Sequence, residues 1–412
     1  MSARLRAAAA CLALLCACAR RAAEADRLVL EHQPLFGDPA PFRALLDDFR
    51  RQNPGLRLDA EALPGGSDLA RQFFLTSLDA GATEPDVLAL DVVWVPEFAR
   101  AGWIADLSAA FPPGGIRRDF LPAAADAVVL SGKTWAVPWY LDVGLLYYRK
   151  DLVPRAPRTY AELRDFARAA MARDPTLHGY LWQGRQYEGL SCNFFESVWG
   201  HGGAVTDRID LDTPAARAGL DWLHETLRSG LSPPSVASAS EEETRRAFQD
   251  GRAVFLRNWP YVWAEVQRDG SAVKEKVSWT TLPTASGAVG AGALGGWMLA
   301  VNAHSVHRAA AERLIAHLTS PDSAVALALA YSRNPARRAV YGDPRLVRGA
   351  PFIAALLPAA ASARPRPVSP YYDLAADGLQ GELSAAIVGL RPPGEALRRA
   401  QKMVDHLAQE EP

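Results

Sequence analysis

The tightest constraint on this chain is the way its hydrophobic period switches back and forth between residues 28 and 91. Residues 28–31 are leucine-rich and β-branched, as a buried strand would be. Phe42, Leu45, Leu46 and Phe49 then follow at i, i+3, i+4 and i+7, one face of a helix, and "NPG" at 53–55 closes it. "LRLDAEAL" (56–63) alternates apolar and polar, a half-buried strand. A helix is expected from Ser67, and "DVLALD" (86–91) is a short apolar run of the kind buried in a parallel sheet. Strand, helix, strand, helix, strand is the signature of an α/β fold.

The middle third is richer in helix signals. "TYAELRDFARAAMARDP" opens with Thr159 and Glu162 in capping-box spacing and stops before Pro175. "TPAARAGLDWLHETLRSG" offers Thr213 as cap, Pro214 at the first turn and Gly230 at the stop. "SEEETRRAFQDG" repeats the scheme from Ser240 to Gly251, and "RAVFLRNWP" reads as a strand ending on polar and aromatic residues. "GAVGAGALGGW" is too glycine-dense to be regular over its whole length. Helices are expected near 308–319 and 321–332. Prolines 365, 367 and 370 in "ARPRPVSPYY" then impose an extended crossing before the last helices. With 412 residues, a single ordinary core is exceeded, so alternating text of this kind predicts two lobes with several crossings.

A formal net charge of −1 removes the electrostatic case for nucleic acid, whose phosphates demand a basic face. No internal run reaches the length of a membrane span. The first residues differ from the rest. "MSARLRAAAACLALLCAC" has Arg4 and Arg6, an apolar stretch, then small residues around cysteine, the layout of an export signal. Leu15-Cys16-Ala17-Cys18 resembles a bacterial lipobox, in which cleavage before Cys18 frees that thiol for lipidation. An ordinary signal cut near residues 22–25, discarding Cys18, is the competing reading. After either cut at most one thiol besides Cys18 remains, Cys192, so no internal disulfide staples the fold.

Four stretches place polar and aromatic residues where an apolar strand or glycine loop ends. They hold Asp91 and Trp94; Trp139, Tyr140 and Asp142; Arg257, Asn258 and Trp259; and Gly295, Gly296 and Trp297. Asp142 stands inside an apolar run, which is expensive for a carboxylate without a partner. Strand C-termini of open α/β sheets are where ligands collect. Carboxylates, amides and guanidinium groups pair with hydroxyls, while a flat ring covers the apolar C–H face of a pyranose. Glycines before Trp297 let backbone approach a ligand closely. Each residue singly has a structural alternative, Asp91 as a helix cap and Trp259 as a core plug among them.

"VPWYLDVGLLYYRKDL", "LRNWP", "LGGW" and "RPRPVSPYY", with "DVVWVPEFARAGWIADL" and "YEGLSCNFFESVWGHGG", resemble the corresponding stretches of extracellular solute-binding proteins of ABC sugar importers, nearest the trehalose/maltose-binding lipoproteins. The likeness covers nearly all of the chain after the signal. It implies a two-lobed α/β fold of the periplasmic-binding-protein type II, like maltose-binding protein. The expected division is a signal and tether over 1–26, one lobe from 27–139 with 297–345, and a second from 140–296 with 346–412. Carried across by position, ligand contacts fall on Asp91, Tyr140, Asp142, Trp259, Gly296, Trp297 and Arg366, the last preferred to Arg364. Asp38, after Gly37, matches an acidic position near the first strand, and Glu188 in "QYEG" is a further polar candidate that could equally cap a helix. The resemblance implies a monomer held to the bacterial membrane by its lipid alone, with no cofactor and no catalytic role. It also implies permease subunits as partners; no Walker motif occurs, so the ATPase lies on a separate chain.

Three readings compete. Asp91 and Asp142 could straddle a glycosidic bond in an exported glycosidase, although no G-x-S-x-G or H-E-x-x-H motif and no nucleophile–base pair accompanies them. Ionised Tyr147–Tyr148 or Tyr371–Tyr372 could ligate ferric iron, but each pair is expected to alternate across a strand, one ring in and one out. The ligand could also be a longer oligosaccharide, a glycerophosphodiester or a peptide on the same fold.

Overall fold

A computed structural model of the chain describes residues 27–63, 67–205, 209–369 and 371–410. The expected signal, its tether and Cys18 lie outside these residues. In chain order the strands of the two larger sheets are β1 (Arg27–His32), β2 (Arg57–Ala62), β3 (Val87–Asp91), β4 (Val137–Val143), β5 (Leu145–Arg149), β6 (His178–Leu181), β7 (Ala253–Asn258), β8 (Val277–Thr280), β9 (Leu294–Val301) and β10 (Asn334–Pro335). Among the described residues, β10-β4-β9-β3-β1-β2 form one sheet and β8-β5-β7-β6 the other. β1 runs parallel to β2 and β3, as the alternating text requires, whereas β9 returns antiparallel between β3 and β4.

The longer helices are α1 (Ala40–Gln52), α2 (Ser67–Asp79), α3 (Tyr160–Arg173), α4 (Glu188–Gly200), α5 (Pro214–Arg228), α6 (Glu241–Gln249), α7 (Arg308–Leu318), α8 (Pro321–Tyr331), α9 (Tyr372–Ile387) and α10 (Pro393–Glu410). α1 buries Phe42, Leu46 and Phe49, while Leu45 stays half-buried at the rim of that face. The caps act as their residue types dictate: Thr159 accepts from the Glu162 N–H at 3.0 Å and Thr213 from the Ala216 N–H at 3.1 Å. Trimming those orphan donors is what lets short polar text start a helix.

The lobes divide at points other than the expected ones. All seven residues of β4 lie in the first sheet, so the division expected at 139–140 falls inside a strand, and the chain passes to β5 through Gly144. The return expected at 296–297 likewise falls inside β9, whose strand begins at Leu294 and takes up only the last four residues of the glycine-dense stretch. Helices over 344–349, 351–355 and 357–362 still pack on α8, on one another and on β4, which places the third passage after 362 rather than at 345–346. At the first two points strand hydrogen bonding carries the chain past the place where the side-chain character changes. At the third, helix packing does the same.

The three passages lie side by side. The Gly144 N–H donates to the Ala293 carbonyl at 3.3 Å, the Leu294 N–H to the Arg364 carbonyl at 2.7 Å, and the Arg364 N–H to the Gly292 carbonyl at 3.0 Å. Beneath them Glu196 of α4 accepts from Arg257 Nε at 2.7 Å and from the Ala293 N–H at 2.9 Å. A Cβ on Gly144 would fall 1.9 Å from Glu196 Oε1, so only glycine clears this carboxylate. Arg257 and Glu196 are both buried, and deleting one partner strands the other charge away from water. Glu196→Ala is therefore expected to lower stability by about 3–5 kcal/mol in urea unfolding. Arg118→Ala, which breaks the exposed pair with Asp119, should leave the midpoint near wild type.

Candidate functional site

Because β9 is antiparallel to its neighbours, its first residues meet the C-terminal ends of β3 and β4. In register, Trp297 stands opposite both Asp91 and Tyr140, and Gly295 opposite Asp142. Gly296 between them has φ +126, and a Cβ there would lie 2.5 Å from the Tyr140 carbonyl oxygen. That close approach of backbones explains the glycine. From the second lobe, the end of β7 brings Trp259, whose indole packs 3.5 Å from the Cβ position of Gly295. The Arg257 guanidinium stacks on the Trp259 ring at 3.9 Å, and Trp259 Nε1 donates to Glu241 Oε1 at 3.2 Å, so the ring is held from two sides.

These groups surround a cavity of about 380 Å³ between the lobes, within the size range of small-molecule sites. Asp91, Tyr140, Asp142, Glu188, Trp259, Gly296, Trp297 and Arg366 all line it. Asp38 does not. It is exposed, and its Oδ1 accepts the Ala40 N–H at 2.9 Å at the start of α1. The strand-end rule applied to β1 leads instead to Gln33, which lines the cavity with a buried Nε2 lacking a partner.

The lining carboxylates are not equivalent. Arg366, 3% exposed, donates from Nη1 to Glu188 Oε1 at 2.6 Å and from Nη2 to Asp91 Oδ1 at 3.0 Å. Glu188, the first residue of α4, also accepts from Tyr372 Oη at 2.6 Å and Gln380 Nε2 at 3.2 Å. Both its oxygens are engaged; burial still holds its carboxyl above the usual range against the pull of Arg366. Glu188 thus bears on a ligand through Arg366. Arg364 faces outward, its guanidinium 5.9 Å from the ring of Trp199.

Asp142 is different. It is 6% exposed; Oδ1 has no hydrogen-bond partner, and Oδ2 stands 3.9 Å from Arg333 Nη1. Burial pushes its carboxyl up to about 6, with Arg333 pulling the other way. The hydroxyl of Tyr140 is buried and unpartnered too. Hydroxyl, carboxylate and indole faces converging on one cavity can trade water for a polyhydroxylated molecule.

Several residues picked out in sequence serve the frame rather than the cavity. Trp139, at a register shift of β4 against β9, packs at 6.0 Å from Phe42 and 4.9 Å from the ring of Tyr140; Trp94 stacks on Phe98 and meets Trp297 edge-on at 5.6 Å. Asn258 ties β7 to α6 through the Glu241 carbonyl at 3.1 Å. Tyr147 and Tyr148 do alternate on β5, buried and half-buried, and the Tyr147 hydroxyl donates to the Trp259 carbonyl at 3.0 Å. Tyr371 and Tyr372, expected on a strand, instead stand at the N-cap and first position of α9, because the proline-rich crossing ends there. Among the described residues no group of three or more His, Cys, Asp or Glu is arranged to hold a metal ion. Sequence reading missed Gln33, Tyr187, Glu241, Tyr261 and Arg333 on the wall. Glu241 had a signal, as the first residue of a helix capped by Ser240; Arg333 had none beyond lying just past the end of α8.

The model of the bacterial extracellular solute-binding protein family matches residues 33–325. A probable ABC transporter-binding protein of Deinococcus radiodurans is 32% identical over 352 residues, 82% of this chain and 83% of its own length. The mannitol-binding protein of Pseudomonas aeruginosa is 25% identical over 342 residues, 77% of this chain and 72% of its own. The solved structure of maltose-bound MalE3 of T. maritima superposes with a TM-score of 0.86 at 37% identity, covering 92% of this chain and 99% of that one. The two-lobed α/β architecture is that of the maltose-binding proteins. With the family model spanning most of the chain and these relatives aligned across both lobes, the chain belongs to the bacterial extracellular solute-binding proteins.

Proposed function

We propose that the chain is the extracytoplasmic sugar-binding component of an ABC importer. It closes two lobes over an α-linked disaccharide of the trehalose or maltose type and delivers it to membrane permease subunits. A separate ATPase subunit supplies the energy. In this reading a lipid on Cys18 anchors the chain to the membrane, and the sugar is handed on unchanged. One observation carries the proposal: Asp142 Oδ1 and the Tyr140 hydroxyl, buried without partners, stand beside Trp297 and Trp259 in a single cavity. Two polar atoms already stripped of water await hydroxyls, and the indoles await a C–H face. The maltose-bound relative supports a glucosidic ligand, and the mannitol-binding relative supports hydroxyl recognition more generally.

A thermal-shift screen over maltose, trehalose, mannitol and monosaccharides tests this directly. A ligand present at about a thousand times its Kd stabilises by about 4 kcal/mol, a plain rise in Tm. No shift with any carbohydrate defeats the proposal. Trp297→Ala should weaken binding of the sugar found by about 1–3 kcal/mol through lost stacking, read by calorimetric titration.

Asp142 gives a pH signature. Hydroxyls donate to the ionised carboxylate, so affinity should be full above pH 6 and fall as the pH drops through about 6. Stability without ligand runs the other way. The folded carboxyl titrates near 6 against an ordinary 3.8, so the folded state binds the proton more tightly and loses stability as pH rises between those values, on the order of 3 kcal/mol. Asp142→Asn should therefore melt at or above wild type at neutral pH while binding sugar about 10- to 150-fold more weakly, the worth of a charged hydrogen bond. Loss of folding in that variant would make Asp142 a structural residue instead.

A further inference from the structure

The cavity wall carries a cation to which the sugar-binding reading gives no task. Arg333 follows Ser332, which ends α8 in the left-handed region at φ +51 and turns the chain off the helix axis. The Arg333 guanidinium lies over the ring of Tyr140 at 4.8 Å and the ring of Tyr261 at 5.5 Å, one from each lobe. Nη2 donates to the Pro34 carbonyl at 3.4 Å, and Nη1 stands 3.9 Å from Asp142 Oδ2. A direct N–H···O bond spans about 2.7–3.2 Å, so guanidinium and carboxylate face each other across a gap. Two complementary atoms remain unpaired: Asp142 Oδ1, an acceptor, and Arg333 Nε, a donor. Both residues are 6% exposed, where an incompletely paired charge is costly. Stacking between two rings keeps the planar guanidinium from swinging onto the carboxylate.

Resting on the carbohydrate reading above, we infer that Arg333 is a specificity-determining residue that reads, together with Asp142, one ligand hydroxyl: the hydroxyl donates to the carboxylate and accepts from the guanidinium. A hydroxyl does both at once. An ammonium in its place donates only and leaves Arg333 unpaired; a carboxylate or phosphate accepts only and is repelled by Asp142. The site therefore selects a neutral ring with a free hydroxyl at this point over an amino sugar, a sugar acid or a sugar phosphate. Arg366 differs in that its Nη atoms already donate to Glu188 and Asp91 within hydrogen-bonding distance, so its charge is matched by two carboxylates.

The test is calorimetric titration of wild type, Arg333→Met, Arg333→Lys and Asp142→Asn with maltose, trehalose and mannitol. Monodeoxy and monoamino analogues of whichever sugar binds follow. Arg333→Met should weaken the parent sugar about tenfold or more, and Arg333→Lys less. For one deoxy analogue, the penalties of Arg333→Met and Asp142→Asn should both shrink to within about twofold, because the shared hydroxyl is gone. Folded Arg333 variants that bind the parent sugar like wild type, or whose penalty vanishes on a different analogue from that of Asp142→Asn, overturn the inference and leave the sugar-binding reading intact. Should neither Arg333 variant fold, wild type decides: one monoamino analogue must lose about tenfold or more, and full affinity for all of them overturns the inference. A wild type that binds no carbohydrate removes the sugar-binding reading and this inference with it.

Discussion

Arg366 holds one carboxylate from each lobe, Asp91 at the end of β3 and Glu188 at the start of α4, and the shape of the cavity depends on that bridge. The guanidinium is buried, so its desolvation offsets much of the Coulomb attraction; such a triad fixes geometry more than it adds net stability. Its geometry is nonetheless demanding. Glu188 is pinned further by Tyr372 and Gln380 of α9, and Asp91 also accepts the Val93 N–H at 3.3 Å. Carboxylates locked in this way present fixed dipoles to the cavity, and the lobes are tied at the level where a ligand sits. A second tie, Arg71 of α2 at 3.6 Å from Asp373 of α9, joins the same two lobes elsewhere.

Beside that bridge, the Asp142 side of the cavity is left incomplete. Arg257 and Arg366 spend their charge on carboxylates within hydrogen-bonding distance, whereas Arg333 and Asp142 stop short of each other. The burial is similar and the pairing is not. Unpaired buried donors and acceptors cost free energy in the folded protein, and binding is the step at which that cost is recovered. On the cavity wall such unpaired atoms include Gln33 Nε2, Tyr140 Oη, Asp142 Oδ1 and Arg333 Nε.

Much of this was legible in the chain. The switching period fixed the parallel strands β1, β2 and β3, and the rule that ligands gather where strands end led to Asp91, Tyr140, Asp142, Trp259 and Trp297. The rule failed where side-chain direction decides. Trp139 and Tyr140 are neighbours in sequence with rings 4.9 Å apart, yet Trp139 falls at a register shift of β4 and packs on Phe42 of α1 while Tyr140 lines the cavity. The resemblance, not this rule, pointed to Asp38, which stays outside the cavity, whereas Gln33 just past the end of β1 lines it. Arg333 was out of reach for a different reason. Its place beside Asp142 comes from β10 pairing with β4 across almost two hundred residues of chain, a contact no local pattern encodes. Two lobe boundaries moved for a related cause: β4 pairs as far as Val143, and β9 pairs from Leu294 through Gly295 and Gly296.

The hydrogen-bonded trio at Gly144, Ala293 and Arg364 has a mechanical meaning. Three covalent threads laced edge to edge form a narrow ribbon, stiff against stretching and sliding but compliant across its width. Any rotation of one lobe against the other has to bend this ribbon. The state of the interior is translated into that bend, and a large neighbour resting on both outer surfaces could sense it without ever touching the cargo.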